Sequence, residues 1–276
     1  MKIERRVTKQ PGIIQITCSD ERWYFREDDE RFFPSVTWIA GFYPKGVEFY
    51  KWLASKGWDE SVAIKEAAGE RGRRVHNAIE QLLVTGSVKM DDVFRVGDTD
   101  VLTELTVDEY EAVMSFHAWY NETNPEILGV EEVAYNEEYD YAGTLDLIAR
   151  IGDKVWVIDL KTSQQVWPEH ELQISAYRHT EVGKSHAGAI LQVGYKRNKK
   201  RFKFTEVEDK FDLFLSARNI WSHETATIQP LQRDFPQSLT IPEVYHAEDR
   251  RHLPEQILKG IGSGSTDSPD YRKGHD

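Results

Sequence analysis

The chain has 276 residues, 39% of them hydrophobic, and carries a formal net charge of -12 at pH 7. This length and apolar content support one large domain or two small ones, and the acidic balance argues against a protein that coats nucleic acid indiscriminately by neutralising phosphates. Because Cys18 is the single cysteine of the sequence, an intrachain disulfide and a cysteine-held iron-sulfur cluster are both excluded.

The first half of the chain predicts one hairpin followed by helices. Alternating apolar residues over 12–26 indicate an antiparallel hairpin that turns near Ser19 and Asp20. Ser35 follows Pro34 and is a suitable N-cap for a short helix. Helical periodicity then predicts helices over 45–56, 59–83 and 107–122, with a polar loop over 84–100.

The second half changes to the two-residue period of strands. Strands are predicted over 127–135, 142–151 and 154–161, and Gly152 and Asp153 form a two-residue turn between the last two. A helix over 169–181 followed by a strand over 187–195 implies a parallel crossover. A further strand, 201–207, and a helix, 211–221, complete a single mixed α/β domain over 1–261, followed by a Gly- and Ser-rich tail over 262–276 that we expect to be disordered.

Charged residues occupy the predicted hairpin in YAGTLDLIARIGDKVWVIDLKTS, residues 141–163. Asp159 and Lys161 share one face of their strand, and the turn geometry places Asp146 opposite Asp159. Two facing carboxylates repel each other unless a divalent cation lies between them, and oxygen donors suit Mg²⁺ or Mn²⁺. A salt bridge from Lys161 to the two acids on a solvated sheet edge explains the spacing equally well.

Three ordered motifs resemble one nuclease family. GTLD contains Gly143 and Asp146, VIDLKTS contains Asp159 and Lys161, and ELQISAY contains the pair Gln173 and Tyr177. This series resembles the PD-(D/E)XK nuclease superfamily, in particular its RecB-like exonuclease branch. RGRRVHNAIE resembles the helix that supplies a histidine to the metal in that branch, and FPSVTWIAGF, residues 33–42, resembles the N-terminal part of phage-type and mitochondrial genome-maintenance members.

The resemblance implies a restriction-endonuclease-like core, with a central mixed sheet flanked by helices and an N-terminal helical region. It assigns catalysis to Asp146, Asp159, Lys161 and Glu131, although the adjacent Glu132 is an equal choice for the last position. It assigns the Mg²⁺ or Mn²⁺ ligands to His76, Asp146, Asp159 and the carbonyl of Leu160. It makes Gln173 and Tyr177 substrate contacts, and these two residues share one helix face.

Two basic clusters are candidate phosphate contacts. Arg73 lies in the first, GERGRRVH, and Lys199 lies in the second, YKRNKKRFKF. A solvated charged face is the simpler explanation of each cluster. Trp167 and Tyr141 are candidates for stacking on an unpaired base.

The expected function is that of a metal-dependent DNA exonuclease in phage-type recombination, repair or replication, with DNA as partner and a single-strand annealing or replication protein as a further partner. An endonuclease on the same core, an RNA-processing enzyme and a catalytically silent DNA-binding adaptor are the alternatives. No apolar run approaches the roughly 20 residues that span a bilayer, and the N-terminal residues lack a secretory signal. We therefore expect a cytoplasmic protein without a membrane partner.

Overall fold

The computed structural model describes residues 3–18, 21–96, 101–184, 186–226 and 239–240. Contacts divide the chain into two units, 1–234 and 235–276, and all the helices and strands below belong to the first unit. The predicted domain end at residue 261 and the predicted tail over 262–276 lie outside the described residues. Among the described helices, none is long and apolar enough to cross a membrane.

An antiparallel sheet opens the chain, with its strands in sequence order: β1 (Ile3–Val7), β2 (Ile13–Cys18), β3 (Glu21–Arg26) and β4 (Arg31–Pro34). The predicted hairpin is confirmed as the β2–β3 pair. The prediction of a helical N-terminal region missed the two edge strands, β1 and β4. Charged residues in these strands obscure the alternation of apolar and polar positions. Tyr24 and Phe33 of this sheet are buried against Val133 and Ala142, which lie further along the chain. Long-range packing therefore holds the edge strands in place.

The next segment is mostly helical, as predicted: α1 (Val36–Ala40), α2 (Val47–Lys56), α3 (Trp58–Thr85), β5 (Val93–Arg95), β6 (Leu102–Glu104) and α4 (Val107–Thr123). Ser35 caps α1, since its side chain accepts the backbone N–H of Trp38 at 3.1 Å. Thr106 and Glu109 form a reciprocal capping box at the start of α4. The predicted loop over 84–100 contains β5, which pairs with β6.

The central sheet has five strands in the order β11-β10-β9-β8-β7. Its elements are β7 (Glu126–Asn136), β8 (Tyr141–Ile151), β9 (Lys154–Lys161), α5 (Pro168–Arg178), β10 (Ala187–Val193), β11 (Phe202–Val207) and α6 (Phe211–Glu224). β9 and β10 are parallel and are connected through α5, whereas the other neighbours are antiparallel. The sheet is therefore mixed, as predicted.

Helices cover both faces of this sheet because its strands alternate between two apolar cores. One core contains Leu147, Ile158 and Leu191 and packs against α3 and α4. The other contains Ile148, Val157 and Ile190 and packs against α1, α5 and α6. This architecture is that of a restriction-endonuclease-like core, and the predicted fold class is confirmed.

The first turn of α5 contains a histidine that the fold keeps uncharged. Burial, reinforced by the positive charges of Lys161 and Lys45, lowers the pKa of His170 to about 3. In the unfolded chain a histidine has a pKa of about 6.5, so on acidification the unfolded state binds this proton at a higher pH than the folded state does. The folded state therefore loses stability as the pH falls from about 6.5 towards 3.

We expect His170→Asn to reduce this acid-induced loss, because asparagine does not titrate and its side-chain oxygen can replace the Nδ1 that accepts the Trp167 backbone N–H at 3.3 Å. Urea unfolding at a series of pH values measures the effect. The slope of the free energy of unfolding against pH should become smaller below about pH 6.5. An identical slope in the two proteins would contradict the assignment.

Candidate active site

A cleft of about 910 Å³ lies between the central sheet, α3, α5 and the N-terminal sheet. The structure brings together in its wall most of the side chains that the motifs singled out: Arg73, His76, Glu131, Asp146, Asp159, Lys161, Gln173 and Tyr177. These residues come from five separate elements, so the cleft is a product of the tertiary fold.

The cleft begins where β8 and β9 separate. The two strands pair in the predicted register from Ile151 and Lys154 as far as Leu147 and Ile158. The next pair, Asp146 and Asp159, was predicted to be directly opposed, but the described pairing stops before it. The Oδ2 atom of Asp146 accepts the backbone N–H of Leu160 at 2.7 Å instead. A carboxylate thus takes the hydrogen bond that a strand neighbour would otherwise accept.

His76, Glu131 and Asp146 form a candidate metal centre. One ligand atom from each of these residues lies within 4.8 Å of the others, and no further group of this kind occurs among the described residues. Two carboxylates and one imidazole are a donor set suited to Mn²⁺ or Mg²⁺. Two of the predicted ligands, His76 and Asp146, are therefore in place, whereas Asp159 lies outside this three-residue group.

Glu131 reaches the cleft through an unusual backbone conformation. Its φ angle of 55° lies in the left-handed region, which costs free energy for a residue other than glycine. Burial and the negative charge of Asp146 raise the pKa of Glu131 to about 7, partly opposed by His76. The neighbouring Glu132 is exposed and is absent from the wall of the cleft. Of the two glutamates that the sequence left open, the structure places Glu131 with the candidate ligands.

We expect Glu131→Gln to weaken Mn²⁺ binding at least about tenfold, because the amide removes one anionic donor. Glu132→Gln is the matched control and should bind Mn²⁺ as the wild type does. Isothermal titration calorimetry of both variants measures the difference. Equal loss in the two variants, or none in Glu131→Gln, would remove Glu131 from the ligand set.

His76 is held between Asp146 and the backbone of β9. Its Nδ1 lies 3.5 Å from Asp146 Oδ1, and its Nε2 lies 3.0 Å from the carbonyl oxygen of Leu160. Burial lowers the pKa of His76, but the charge of Asp146 outweighs it and raises the pKa to about 9. Burial likewise raises the pKa of Asp146, but His76 outweighs it and the pKa is lower than usual. The carbonyl of Leu160, a predicted metal ligand, therefore lies beside the imidazole.

Asp159 and Lys161 form a buried ion pair next to this group. Asp159 is 5% exposed, and its Oδ2 lies 2.5 Å from Lys161 Nζ. Burial raises the pKa of Asp159 to about 6, and the charge of Asp146 adds to the effect while Lys161 opposes it. Burial lowers the pKa of Lys161, but Asp159 and Asp146 outweigh it and the pKa is raised. Lys161 consequently keeps its proton at neutral pH.

Gln173 and Tyr177 lie on one face of α5, as their spacing predicts, and both line the cleft. The side-chain amide of Gln173 donates to Thr37 Oγ1 at 2.8 Å, so it connects α5 to α1. Tyr177 is 4% exposed. A Cβ atom at Gly143 would lie 2.4 Å from Tyr177 Cε1, which explains why the GTLD motif has glycine there. The glycine leaves space for the tyrosine ring.

No family model matches this sequence, and no curated protein matches it. Among solved structures, an alkaline exonuclease, LHK-Exo from Laribacter hongkongensis, is similar with 12% identity and a TM-score of 0.37, over 70% of this chain and 87% of that one. The crystal structure of SSO0001 is similar with 18% identity and a TM-score of 0.29, over 43% of this chain. The chain spans 59% of the length of SSO0001. Similarities this low assign no activity.

Five arginines line the same cleft: Arg5, Arg6, Arg22, Arg73 and Arg95. Only Arg73 was predicted. Arg5 and Arg6 lie on β1 and Arg22 on β3, and these three form no ion pair with another described residue. The overall charge of -12 therefore conceals a locally basic cleft. The sequence indicated only Arg73, because the other arginines come from segments that are remote from it along the chain and that the fold brings together.

The second basic cluster is not part of the cleft. Lys199 is absent from the cleft wall, and the neighbouring Lys196 forms an ion pair with Asp108 of α4 at 3.0 Å. Lys200 and Arg201 also pair with acidic residues of α4. The acidic face of α4 thus neutralises much of this turn. Lys199 lies outside the cleft, and its role as a substrate contact stays a prediction.

Tyr141 cannot serve as a stacking residue. Its side chain is 0% exposed and donates to the carbonyl oxygen of Ala176 at 2.9 Å. Trp167 is 45% exposed but is also absent from the wall of the cleft. The proposed stacking role of Tyr141 was therefore wrong, and an aromatic contact with a base requires other residues.

Proposed function

We propose that this protein is a metal-dependent deoxyribonuclease and that it acts as an exonuclease. The observation that carries the proposal is the common cleft, which joins a carboxylate and histidine group, a protonated lysine and five arginines. These elements favour hydrolysis of a phosphodiester: a divalent cation polarises the phosphate, a cationic group stabilises charge on the reacting oxygens, and positive charge along the cleft binds the backbone. The ordered motifs around Asp146, Asp159 and Lys161 add to this support.

The charged residues of the cleft divide the proposed mechanism among them. His76, Glu131 and Asp146 would hold the cation, which when bound would polarise the phosphoryl oxygens. Lys161, kept protonated by Asp159, would donate a hydrogen bond from Nζ to the phosphate or orient the attacking water. The arginines would bind the adjacent phosphates and fix the strand.

A time course with end-labelled linear DNA tests the proposal. We expect nucleotides or short fragments to be released in Mn²⁺ or Mg²⁺ and no release in EDTA. Labels at the 5′ and the 3′ end, compared on single- and double-stranded DNA, give the polarity and the strand preference. No hydrolysis with either metal on any of these substrates would overturn the proposal and would favour a DNA-binding adaptor on the same fold.

A closed circle separates the exonuclease from the endonuclease. An exonuclease requires an end, so covalently closed DNA should remain intact while the same molecule is degraded after linearisation. Cutting of the circle would establish the endonuclease. A labelled RNA of the same sequence provides the third comparison, because no described residue has been assigned to reading a 2′-hydroxyl.

The cellular role is an extension of this proposal. We propose that the enzyme works in the cytoplasm during recombination, repair or replication of a phage-type genome. A single-strand annealing or replication protein would receive the strand that the nuclease exposes. Pull-down with such proteins in the presence and absence of DNA tests the partnership.

A further inference from the structure

A second hollow lies directly beside the catalytic cleft. Its volume is about 400 Å³, and it shares three wall residues with the cleft, Thr17, Arg22 and Thr37. The remainder of its wall is formed by Glu21, Ser35, Trp38, Gly41 and Phe42. The two spaces are therefore neighbours, and Arg22 lies where they meet.

The aromatic wall of the hollow is held rigidly from behind. The ring of Trp38 packs edge to face against Trp23 at 5.1 Å and against Trp221 at 5.2 Å between centroids. Both Trp38 and Phe42 are only partly buried, so each retains surface towards the hollow. A fixed aromatic surface loses little conformational freedom when a flat ring stacks on it.

The charges around the hollow favour one orientation of a nucleotide. Arg22 lies on the wall shared with the cleft and attracts a phosphate there. Glu21 lies in the wall of the hollow, and one of its oxygens accepts Trp23 Nε1–H at 2.9 Å. A carboxylate repels phosphate but can accept a hydrogen bond from the amino group of a base. The phosphate would therefore stay in the cleft, and the base would enter the hollow.

We propose that this hollow binds one unpaired nucleobase of the strand in the catalytic cleft, by stacking on Trp38 and Phe42. The proposal rests on the proposed function, because it assumes a polynucleotide in the cleft. It deepens that function by specifying the substrate: a strand with at least one base free of its complement. Base pairing would prevent entry, since a base held to its complement and stacked on its neighbour has to be unpaired and unstacked before it can turn into the hollow.

Removal of single bases tests the hollow. The probe is a short fluorescein-labelled oligodeoxycytidylate, whose bases carry an amino group, bound to the full chain carrying Asp159→Asn to prevent cleavage and followed by fluorescence anisotropy. Oligonucleotides with one abasic site, moved through every position, keep the phosphates and remove one base at a time. We expect one position, or two adjacent ones, at which the abasic site weakens binding about 5- to 100-fold.

Phe42→Leu identifies the protein side of this contact. Leucine keeps apolar volume and removes the aromatic face, so the variant should bind the intact oligonucleotide about 5- to 100-fold more weakly and should be insensitive to the abasic site at the critical position. Trp38→Phe, which retains a ring, should show a smaller loss. Tyr139→Leu is the matched control, because Tyr139 is a half-buried aromatic residue in the wall of a different hollow. Thermal unfolding verifies that each variant is folded.

The outcomes separate this proposal from the proposed function. If the Asp159→Asn protein binds abasic oligonucleotides with the same loss of affinity with and without Phe42→Leu, the nucleobase site is overturned. DNA hydrolysis by the wild-type protein would still support the nuclease proposal in that case. Absence of both DNA binding and hydrolysis would overturn the two together. Binding of blunt duplex as tight as that of the single strand would also overturn the requirement for an unpaired base.

Discussion

Asp159→Asn is expected to reduce the rate of DNA hydrolysis at least about a hundredfold without unfolding the protein. Asp159 is 5% exposed and forms the 2.5 Å ion pair that helps to keep Lys161 protonated. Asparagine preserves the shape of the side chain but removes its charge. The lysine then loses its nearest anionic partner, and the cleft loses a carboxylate next to the candidate metal centre.

The release of acid-soluble nucleotides from linear DNA in Mn²⁺ measures this effect. Asp209→Asn is the matched control, because Asp209 pairs with His179 outside the cleft, and the variant should retain wild-type activity. Thermal unfolding of Asp159→Asn without metal shows whether the fold is intact. Wild-type activity in a folded Asp159→Asn protein would exclude Asp159 and, with it, the proposed site.

Arg74→Ala is expected to lower the free energy of unfolding by about 3–5 kcal/mol. Arg74 of α3 forms a 2.5 Å ion pair with Glu109 of α4, and the two side chains are 15% and 1% exposed. Glu109 also accepts the backbone N–H of Thr106 at 2.8 Å and thereby completes the capping box of α4. Removal of the arginine leaves a buried carboxylate without its cation, which costs far more than loss of a surface pair.

Urea unfolding monitored by circular dichroism measures this loss. Arg71→Ala is the control on the same helix, because Arg71 forms no ion pair with another described residue. The free energy of unfolding of this variant should differ from that of the wild type by less than about 1 kcal/mol. A loss below about 1 kcal/mol for Arg74→Ala would indicate that water hydrates the carboxylate of Glu109 once the arginine is removed. The ion pair would then have no structural role.

The cluster GERGRRVH shows how much of this molecule a pattern can predict. Its charge and helical period correctly predicted a basic segment of a helix. Its histidine, His76, lies in the cleft, as the motif suggested. Adjacent arginines nevertheless have different environments. Arg73 lines the cleft, whereas Arg74 points to Glu109. One residue along a helix rotates a side chain by about 100°, and the neighbouring elements determine what it meets.

The glutamate pair illustrates the same limit in a strand. The sequence left the choice between Glu131 and Glu132 open, because adjacent residues of a strand face opposite sides and nothing in the pattern indicates which side contains the cleft. The answer depends on how β7 pairs with β8 and on the left-handed backbone at Glu131. The register of β8 and β9 was predicted correctly as far as Leu147 and Ile158, but the sequence did not indicate that the pairing ends there and that Asp146 accepts the backbone N–H of Leu160.

Sequence alone determined the strands and helices of the central sheet and the parallel crossover through α5. It also singled out Asp146, Asp159 and Lys161 as the candidate catalytic residues. These features depend on short-range periodicity, caps and turns, which a few neighbouring residues specify. Only the three-dimensional structure showed that the ligand atoms of His76, Glu131 and Asp146 lie within 4.8 Å of one another. It also revealed most of the basic lining of the cleft and the ion pairs that neutralise the turn around Lys199. Distances between residues remote in sequence depend on the packing of whole elements, and no local pattern records that packing.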